Sequence, residues 1–345
     1  MTASALDQVK YTVEDGIWDV SIVAGPSNDK VPEGAIPSGV QLETLRKPLL
    51  SIGGLIELYQ VLKVLDPDVV HVHHARSGLA AAVVNLFRCR AFLVEDGAQR
   101  DNYRLPTRIM FTVLQIMATH VVFVSQAVRK SLSRLERSLI GTSKVSVIYY
   151  GLELPKVNTS DQTLFRARYN LKDGERIFAH TGRLIPVKNQ KGILDLFAKL
   201  VREKEGKLLI AGDGPLRTEL EKYAHDVGIG DMVIFLGLLD RNDIYTLLSI
   251  SKFFVMMSHT EGHSVSLLEA MGYGCIPILS DIASFRETVN EDNAIFVTDF
   301  ESCYDDIIKK MQGISQDEVI DYYRTRYSRT KMMSDYYSLY DTCTR

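Results

Sequence analysis

A chain of 345 residues is long enough for two domains, each able to bury its own core. Its 46% apolar and 24% charged residues are those of a globular protein, and a net charge of −3 argues against a general binder of nucleic acid or other polyanions. Cys89, Cys275, Cys303 and Cys343 are scattered without a Cys-x-x-Cys pair, which argues against a disulfide framework or a zinc site and fits a reducing cytoplasm.

Taken in chain order, residues 4–15 predict a helix, 18–25 a strand, and 40–45 a second strand after a polar loop. The helical period of 53–65 ends at Asp66-Pro67, and DVVHVHH (68–74) follows as a buried strand. A helix over 77–89, a strand and turn over 91–97 and a helix over 106–118 come next. Strands at 120–126 and 145–151 bracket a basic helix at 127–139. The longest apolar run, 109–124, is interrupted by Thr, Gln and His and is short of a bilayer span, so it reads as a buried helix followed by a strand. No signal peptide is expected. LELPKVNTSDQT (152–163) reads as the linker, and strands near 176–181, 207–211, 232–236, 252–257, 275–280 and 294–297 alternate with helices beyond it. Strands alternating with helices at this spacing imply parallel, doubly wound sheets. The expected layout is an N-terminal domain over 1–155, a C-terminal domain over 164–315 and terminal helices over 316–345. The Tyr and Met stripe of those last helices reads as core packing.

The second half carries the chemistry. In SHTEGHSVSLLEAMGYGC (258–275), Glu261 and Glu269 stand eight positions apart around a glycine turn that opens a short apolar helix. Ser264 is placed to cap that helix, and Gly272 and Gly274 mark its end. A strand, a glycine turn and a helix N-terminus make an anion site, because unpaired backbone N–H groups and the positive end of the helix dipole point outward. Carboxylates do not bind phosphate, so the two glutamates read as holders of hydroxyls beside it. The alternative is an amphipathic helix with two solvated glutamates. In HTGRLIPVKNQKG (180–192), a strand ends at Gly182, and Arg183 and Lys188 follow five apart, where open α/β sheets bind ligands. A buried strand and the turn Gly212-Asp213-Gly214-Pro215 follow, and the plain reading of that turn is a tight strand-to-helix connection.

Together these stretches resemble the donor-binding domain of the family 4 glycosyltransferases, retaining enzymes of the two-domain GT-B fold. The matching residues are Gly182, Arg183 and Lys188; AGDGP (211–215); FLGLL (235–239); Glu261 and Glu269; EAMGYG (269–274); and DIASFRE (281–287). The resemblance implies two Rossmann-like domains facing a central cleft, with the last helix crossing back to the first domain. It implies that Arg183 and Lys188 neutralise a diphosphate, that Glu269 holds the ribose and that Glu261 lies by the donor sugar. Leu238 and the backbone around Gly262, His263 and Ser264 join them at the donor. His263 stands where Phe or Leu is common, and Ser284 where Gly is common.

The first half departs from this pattern. The chain starts at its first helix, so the first strand and its glycine loop are expected to be missing, leaving a gap in the sheet or a place filled by another segment. In VEDG (94–97), Asp96 occupies the strand end where many members present a His to the donor sugar, and so becomes a catalytic candidate; the alternative is a turn residue before Gly97. HVHH (71–74) mimics a metal cluster, but no acidic residue stands at ligand spacing, and neither metal nor other cofactor is expected. Residues 76–144 carry eleven Lys and Arg against four Asp and Glu, a net of +7. That excess suits peripheral contact with an anionic membrane surface or an anionic acceptor, the alternative being a solvated face. The expected function is transfer of a hexose from a nucleoside diphosphate sugar to a saccharide or lipid-linked hydroxyl, in the cytoplasm or at the inner face of the membrane. The rivals are a nucleotide-sugar epimerase on the same fold and a non-catalytic nucleotide-sugar-binding partner protein.

Overall fold

The alternating strand and helix periods fold as two α/β units, seen in a computed structural model that describes residues 3–25, 36–38, 40–85, 91–201, 206–298 and 304–344. One unit comprises Met1–Gly151 with Arg329–Arg345, and the other Leu152–Ser328. The first holds α1 (Ala3–Asp15), β1 (Ser21–Ala24), β2 (Gln41–Thr44), α2 (Ile52–Leu65), β3 (Val69–Val72), α3 (Ala75–Asn85) and β4 (Ala91–Asp96). It continues with α4 (Leu105–Met117), β5 (His120–Phe123), α5 (Gln126–Lys130), α6 (Arg134–Ile140) and β6 (Val145–Val147). The polar loop between β1 and β2, the end of the helix expected over 77–89, Cys89, Cys303, Arg88 and Arg90 lie largely or wholly outside the described residues.

The strands of this unit are all parallel but form two sheets, β1–β2 and β3–β4–β5–β6. Among the described residues no ladder joins β1 to β3. The two sheets still share a core. Leu58 and Leu62 of α2 and Ala80 and Val84 of α3 are buried together with Leu45, and Val23 of β1 and Val70 of β3 pack on that cluster. The expected single helix over 127–139 is two helices. Ser133 caps α6 and forms a capping box with Glu136, and that signal overrides the continuous basic pattern.

The second unit holds α7 (Thr159–Arg168), β7 (Ile177–Thr181), α8 (Gln190–Leu200), β8 (Lys207–Ala211), α9 (Arg217–Asp226), β9 (Val233–Gly237) and α10 (Arg241–Ser249). After these come β10 (Phe253–Met256), α11 (Val265–Gly272), β11 (Ile276–Ser280), α12 (Ala283–Thr288), β12 (Ile295–Val297), α13 (Tyr304–Gly313) and α14 (Gln316–Arg326). The stretch expected as a linker therefore already starts a helix at Thr159. The last helix, α15 (Arg329–Thr344), packs with the first unit and buries Met332, Met333, Tyr336 and Leu339. The sheet of the second unit is parallel throughout, in the order β12-β11-β10-β7-β8-β9. From β7 the chain winds outward through β8 and β9, then returns to β10 and winds the other way. The switch point lies between β7 and β10, the place where a crevice opens beyond the carboxyl ends of the strands.

Candidate functional site

The loops that follow β7 and β10 flank this switch point. β7 ends at Thr181, and Gly182 leads into Arg183 and a single turn of 3₁₀ helix over Pro186–Lys188. Asn189 then adopts a left-handed conformation (φ +50°) and caps α8 through its side chain, which accepts from the Gly192 N–H at 3.2 Å. Its Nδ2 donates to the Met257 carbonyl at 3.1 Å, and the His259 N–H donates to the Val187 carbonyl at 2.9 Å. The loop after β7 is thus pinned to the loop after β10. The consequence is an ion pair between Lys188 Nζ and Glu261 Oε1 at 2.6 Å.

A buried polar chain holds this loop from behind. His180 is fully buried, and its Nδ1 lies 2.9 Å from the Val255 carbonyl. That carbonyl can only accept, so Nδ1 carries the proton and Nε2 is left to accept from Gln190 Nε2 at 3.3 Å. Burial lowers the His180 pKa to about 4, which keeps the ring neutral for this role. Gln190 Nε2 also donates to the Arg183 carbonyl at 2.8 Å, while the Arg183 side chain is exposed.

The glycines of the next turn act by close approach. A Cβ on Gly212 (φ +136°) would lie 1.9 Å from the Gly182 carbonyl oxygen, and one on Gly214 would lie 2.4 Å from that of Leu184. The turn after β8 therefore braces the loop after β7 backbone to backbone, reinforced by Leu184 N–H donating to Asp213 at 3.0 Å. Leu238, just past β9, is 81% exposed.

On the other side of the switch point, Ser264 caps α11, its Oγ accepting from the Leu267 N–H at 3.3 Å. Glu269, one turn in, is buried on the same helix. His263 is buried with its ring 5.4 Å from that of Tyr327, and burial lowers its pKa to about 3. The structure so brings Gly182, Arg183, Lys188, Glu261, Gly262, His263 and Ser264 to the carboxyl ends of two adjacent strands. Beside them, Asn189, Ser258, His259, Ser280 and Asp281 line a cavity of about 420 Å³. Thr181 Oγ1, Ser258 Oγ, Thr260 Oγ1 and Ser284 Oγ are buried near these strand ends with no protein hydrogen-bond partner. Buried hydroxyls left open at a strand-end crevice suit a polar ligand. Asn189, His180 and Gln190 were not singled out in the sequence, and Asn189 alone left a signal there, as a capping residue before a helix.

In the first unit, Asp96 is fully buried at the end of β4. Its Oδ2 lies 2.6 Å from Arg100 Nη1 and accepts from Gln115 Nε2 at 2.6 Å, and its Oδ1 accepts from the Tyr103 hydroxyl at 2.9 Å. With no exposed surface and both oxygens engaged, Asp96 has no atom to offer a sugar, and the geometry gives it a structural part in place of the catalytic one. Arg100 continues to Glu136 at 3.2 Å, which Arg108 also binds at 2.8 Å. Burial alone would raise the Glu136 pKa, but hydrogen bonds from Arg108 and Ser133 hold it well below the usual carboxylate range.

HVHH does have an acidic neighbour, supplied by the adjacent strand. Ligand-type atoms of His71, His73 and Glu95 lie within 4.8 Å of one another. The Glu95 carboxylate is already occupied: it accepts from Tyr150 at 3.0 Å, Gln8 at 3.1 Å and Tyr336 at 2.5 Å, and lies 3.2 Å from His73 Nδ1. The Tyr340 hydroxyl lies 3.0 Å from His71 Nδ1. The cluster therefore ties α15 to β3 and β4.

Two family models match the chain, "Glycosyl transferases group 1" over residues 161–332 and "Glycosyltransferase Family 4" over residues 1–155. The chain is 25% identical to the UDP-Gal:alpha-D-GlcNAc-diphosphoundecaprenol alpha-1,3-galactosyltransferase of Escherichia coli, over 88% of this chain and 81% of that protein. It is 29% identical to the alpha-monoglucosyldiacylglycerol synthase of Streptococcus pneumoniae, over 41% of this chain and 34% of that one. Among solved structures, HepE of Anabaena in complex with UDP and glucose aligns with a TM-score of 0.79 at 18% identity, covering 99% of this chain and 96% of that one. A glycosyltransferase of Rickettsia africae aligns with a TM-score of 0.82 at 15% identity, covering 99% and 95%. These likenesses give the fold as GT-B.

Proposed function

The chain belongs to the family 4 glycosyltransferases, and from that premise we propose that it moves a hexose from a nucleoside diphosphate sugar to a hydroxyl of a saccharide or lipid-linked acceptor, with retention at the anomeric carbon, in cell-surface polysaccharide or glycolipid synthesis. The observation that carries this reading is the meeting of Lys188 and Glu261 at the switch point, beside Arg183 and the capped start of α11. As the bond to the anomeric carbon breaks, the leaving diphosphate gains negative charge. Arg183, Lys188 and the backbone N–H groups before Val265 would then hold it more tightly in the transition state than in the ground state. Glu269 would hold the ribose and Glu261 would lie at the sugar. Charge neutralisation falls to these groups, without a resident metal. The reaction is placed in the cytoplasm, with peripheral contact at the inner membrane face through the basic stretch 76–144.

UDP-hexoses are the first donors to try, since the E. coli relative is named for UDP-Gal and HepE was solved with UDP. Incubation with lipid-linked and free saccharide acceptors, followed by mass analysis and NMR of the new linkage, tests the reading. An α-linked product from an α-linked donor supports it. Conversion of the donor to its epimer, or donor binding with neither transfer nor hydrolysis, would replace it with one of the two rivals.

A further inference from the structure

Strand pairing in the first unit gathers three ligand-type side chains around Glu95. His71 and His73 are two apart along extended chain and so share a face. The ladder sets His71 against Leu93 and Val72 against Val94, which carries His73 alongside Glu95. The two imidazole rings stand 4.4 Å apart, tilted by 34°. Ligand atoms about 2.1 Å from a tetrahedral zinc ion lie about 3.4 Å from one another. His73 Nδ1 and Glu95 Oε1, at 3.2 Å, already hold that spacing, and His71 Nε2 lies 3.8 Å from Glu95 Oε2. A carboxylate has about four lone-pair sites. Gln8 and Tyr336 donate to Oε2, and Tyr150 donates to Oε1. One site on Oε1 is left, on the atom nearest His73. His71 Nε2 and His73 Nδ1 are buried and make no hydrogen bond. Close as it is, His73 Nδ1 is therefore out of line to donate to Glu95. Three electron-pair donors converge with no hydrogen bond between them.

Charge and donor chemistry say what fits there. The Glu95 side chain is 4% exposed, and among the described residues its ion-pair partners are these two histidines, with no Lys or Arg. A buried carboxylate needs a counter-charge. Two imidazoles and a carboxylate suit Zn2+, whereas Mg2+ and Ca2+ take oxygen ligands. The outer shell that orients metal ligands is in place. The Tyr340 hydroxyl lies 3.0 Å from His71 Nδ1, which leaves Nε2 for an ion, and the three donors to Glu95 fix its carboxylate. We propose that His71 Nε2, His73 Nδ1 and Glu95 Oε1 bind one Zn2+ ion, with water in the fourth position on the side where His73 is 19% exposed. Tyr336 and Tyr340 both belong to α15, so the ion fastens that helix to β3 and β4 through its own ligands.

The site lies apart from the groups assigned to the donor, so metal binding and sugar transfer stand or fall separately. The whole protein is stripped with EDTA, Co2+ alone is titrated in as a spectroscopic probe, and Zn2+ is then added. The expected result is visible bands of tetrahedral Co2+ that saturate at one ion per chain and vanish as Zn2+ displaces it. Zn2+ at a hundredfold excess over its Kd should raise the melting temperature by about 5 °C or more, and Mg2+ should not. His73→Ala and Glu95→Gln should each weaken Zn2+ binding by about tenfold or more, and Tyr340→Phe, which removes only the outer contact to His71, by about tenfold. His225→Ala, at an exposed position of the second unit, should leave it unchanged. Circular dichroism reports whether the variants are folded, and Tyr340→Phe with His71→Gln decides the matter if the first pair is not. Absence of Co2+ bands, a melt that ignores Zn2+, or bands retained in the folded variants overturns the proposal. A cluster whose counter-charge is only a proton on His73 gives the first two of these results.

Discussion

Lys188 Nζ lies 2.6 Å from Glu261 Oε1 although 73 residues separate them in sequence. The pair is partly buried, with side-chain exposures of 22% and 12%, so it is a poised charge and not a loose surface contact. A diphosphate entering beside it competes with Glu261 for the ammonium group. Lys188→Ala and Arg183→Ala should each weaken binding of a nucleoside diphosphate sugar by about 1.5–3 kcal/mol, the range of a charge-assisted hydrogen bond, with the exposed Arg183 at the lower end. Titration calorimetry checks this, and affinity unchanged in both variants removes the phosphate assignment.

The two glutamates should separate kinetically. Glu269→Gln is expected to raise the donor KM, because its carboxylate is assigned to the ribose, which is bound alike before and during reaction. Glu261→Gln is expected to lower kcat more than affinity, because it is assigned to the reacting sugar and orients Lys188. Steady-state kinetics with the opposite pattern would exchange the two roles.

Gly212→Ala should destabilise the second unit and cost donor affinity. The new methyl meets the Gly182 carbonyl oxygen at 1.9 Å, at a φ of +136° that L residues rarely adopt. Strain of this kind costs on the order of 1–3 kcal/mol before the clash is counted. The loop carrying Arg183 must shift to relieve it. A thermal melt and UDP titration that both match the parent would show that the two turns are not braced as described.

Arg100→Ala should be among the more damaging changes in the first unit. It strands the Asp96 carboxylate, which has no exposed surface, and breaking a buried pair from one side costs about 3–5 kcal/mol. Asp96→Asn, which keeps the shape, should lower the melting temperature and leave kcat near the parent value in the folded protein. A large fall in kcat with an unchanged melt would instead restore Asp96 to catalysis.

Stability should fall as the solution is acidified from pH 6.5 toward 4. His263 and His180 are buried with pKa values lowered to about 3 and about 4, so the unfolded chain takes up protons in this window and the folded one does not. The state that binds more protons gains as pH falls, and here it is the unfolded one. At pH 5 each group accounts for about 2 kcal/mol of lost stability. His263→Phe should flatten the loss. Denaturant melts at pH 7 and pH 5 with equal differences in parent and variant would refute this.

What could be read from the sequence alone follows from local rules. Period and punctuation located most strands and helices within a few residues, because burial on one face and glycine or proline at the ends are written along the chain. The cap at Ser264 and the two cations after Gly182 were legible for the same reason. The split into α5 and α6 was written there too, in the Ser133–Glu136 capping box. Strand order was not. That β7 lies beside β10 depends on which strands pair across the sheet, and this alone carries Lys188 to Glu261. Asp96 looked like a cleft residue from its position at a strand end, but Arg100, Gln115 and Tyr103 close over it. Glu95 gave no sign of joining His71 and His73, because the ladder that sets β4 against β3 is absent from linear spacing. Local preference is set by each residue and its near neighbours. Long-range pairing is set by the burial of whole faces, and only the folded chain decides which charges that burial brings together.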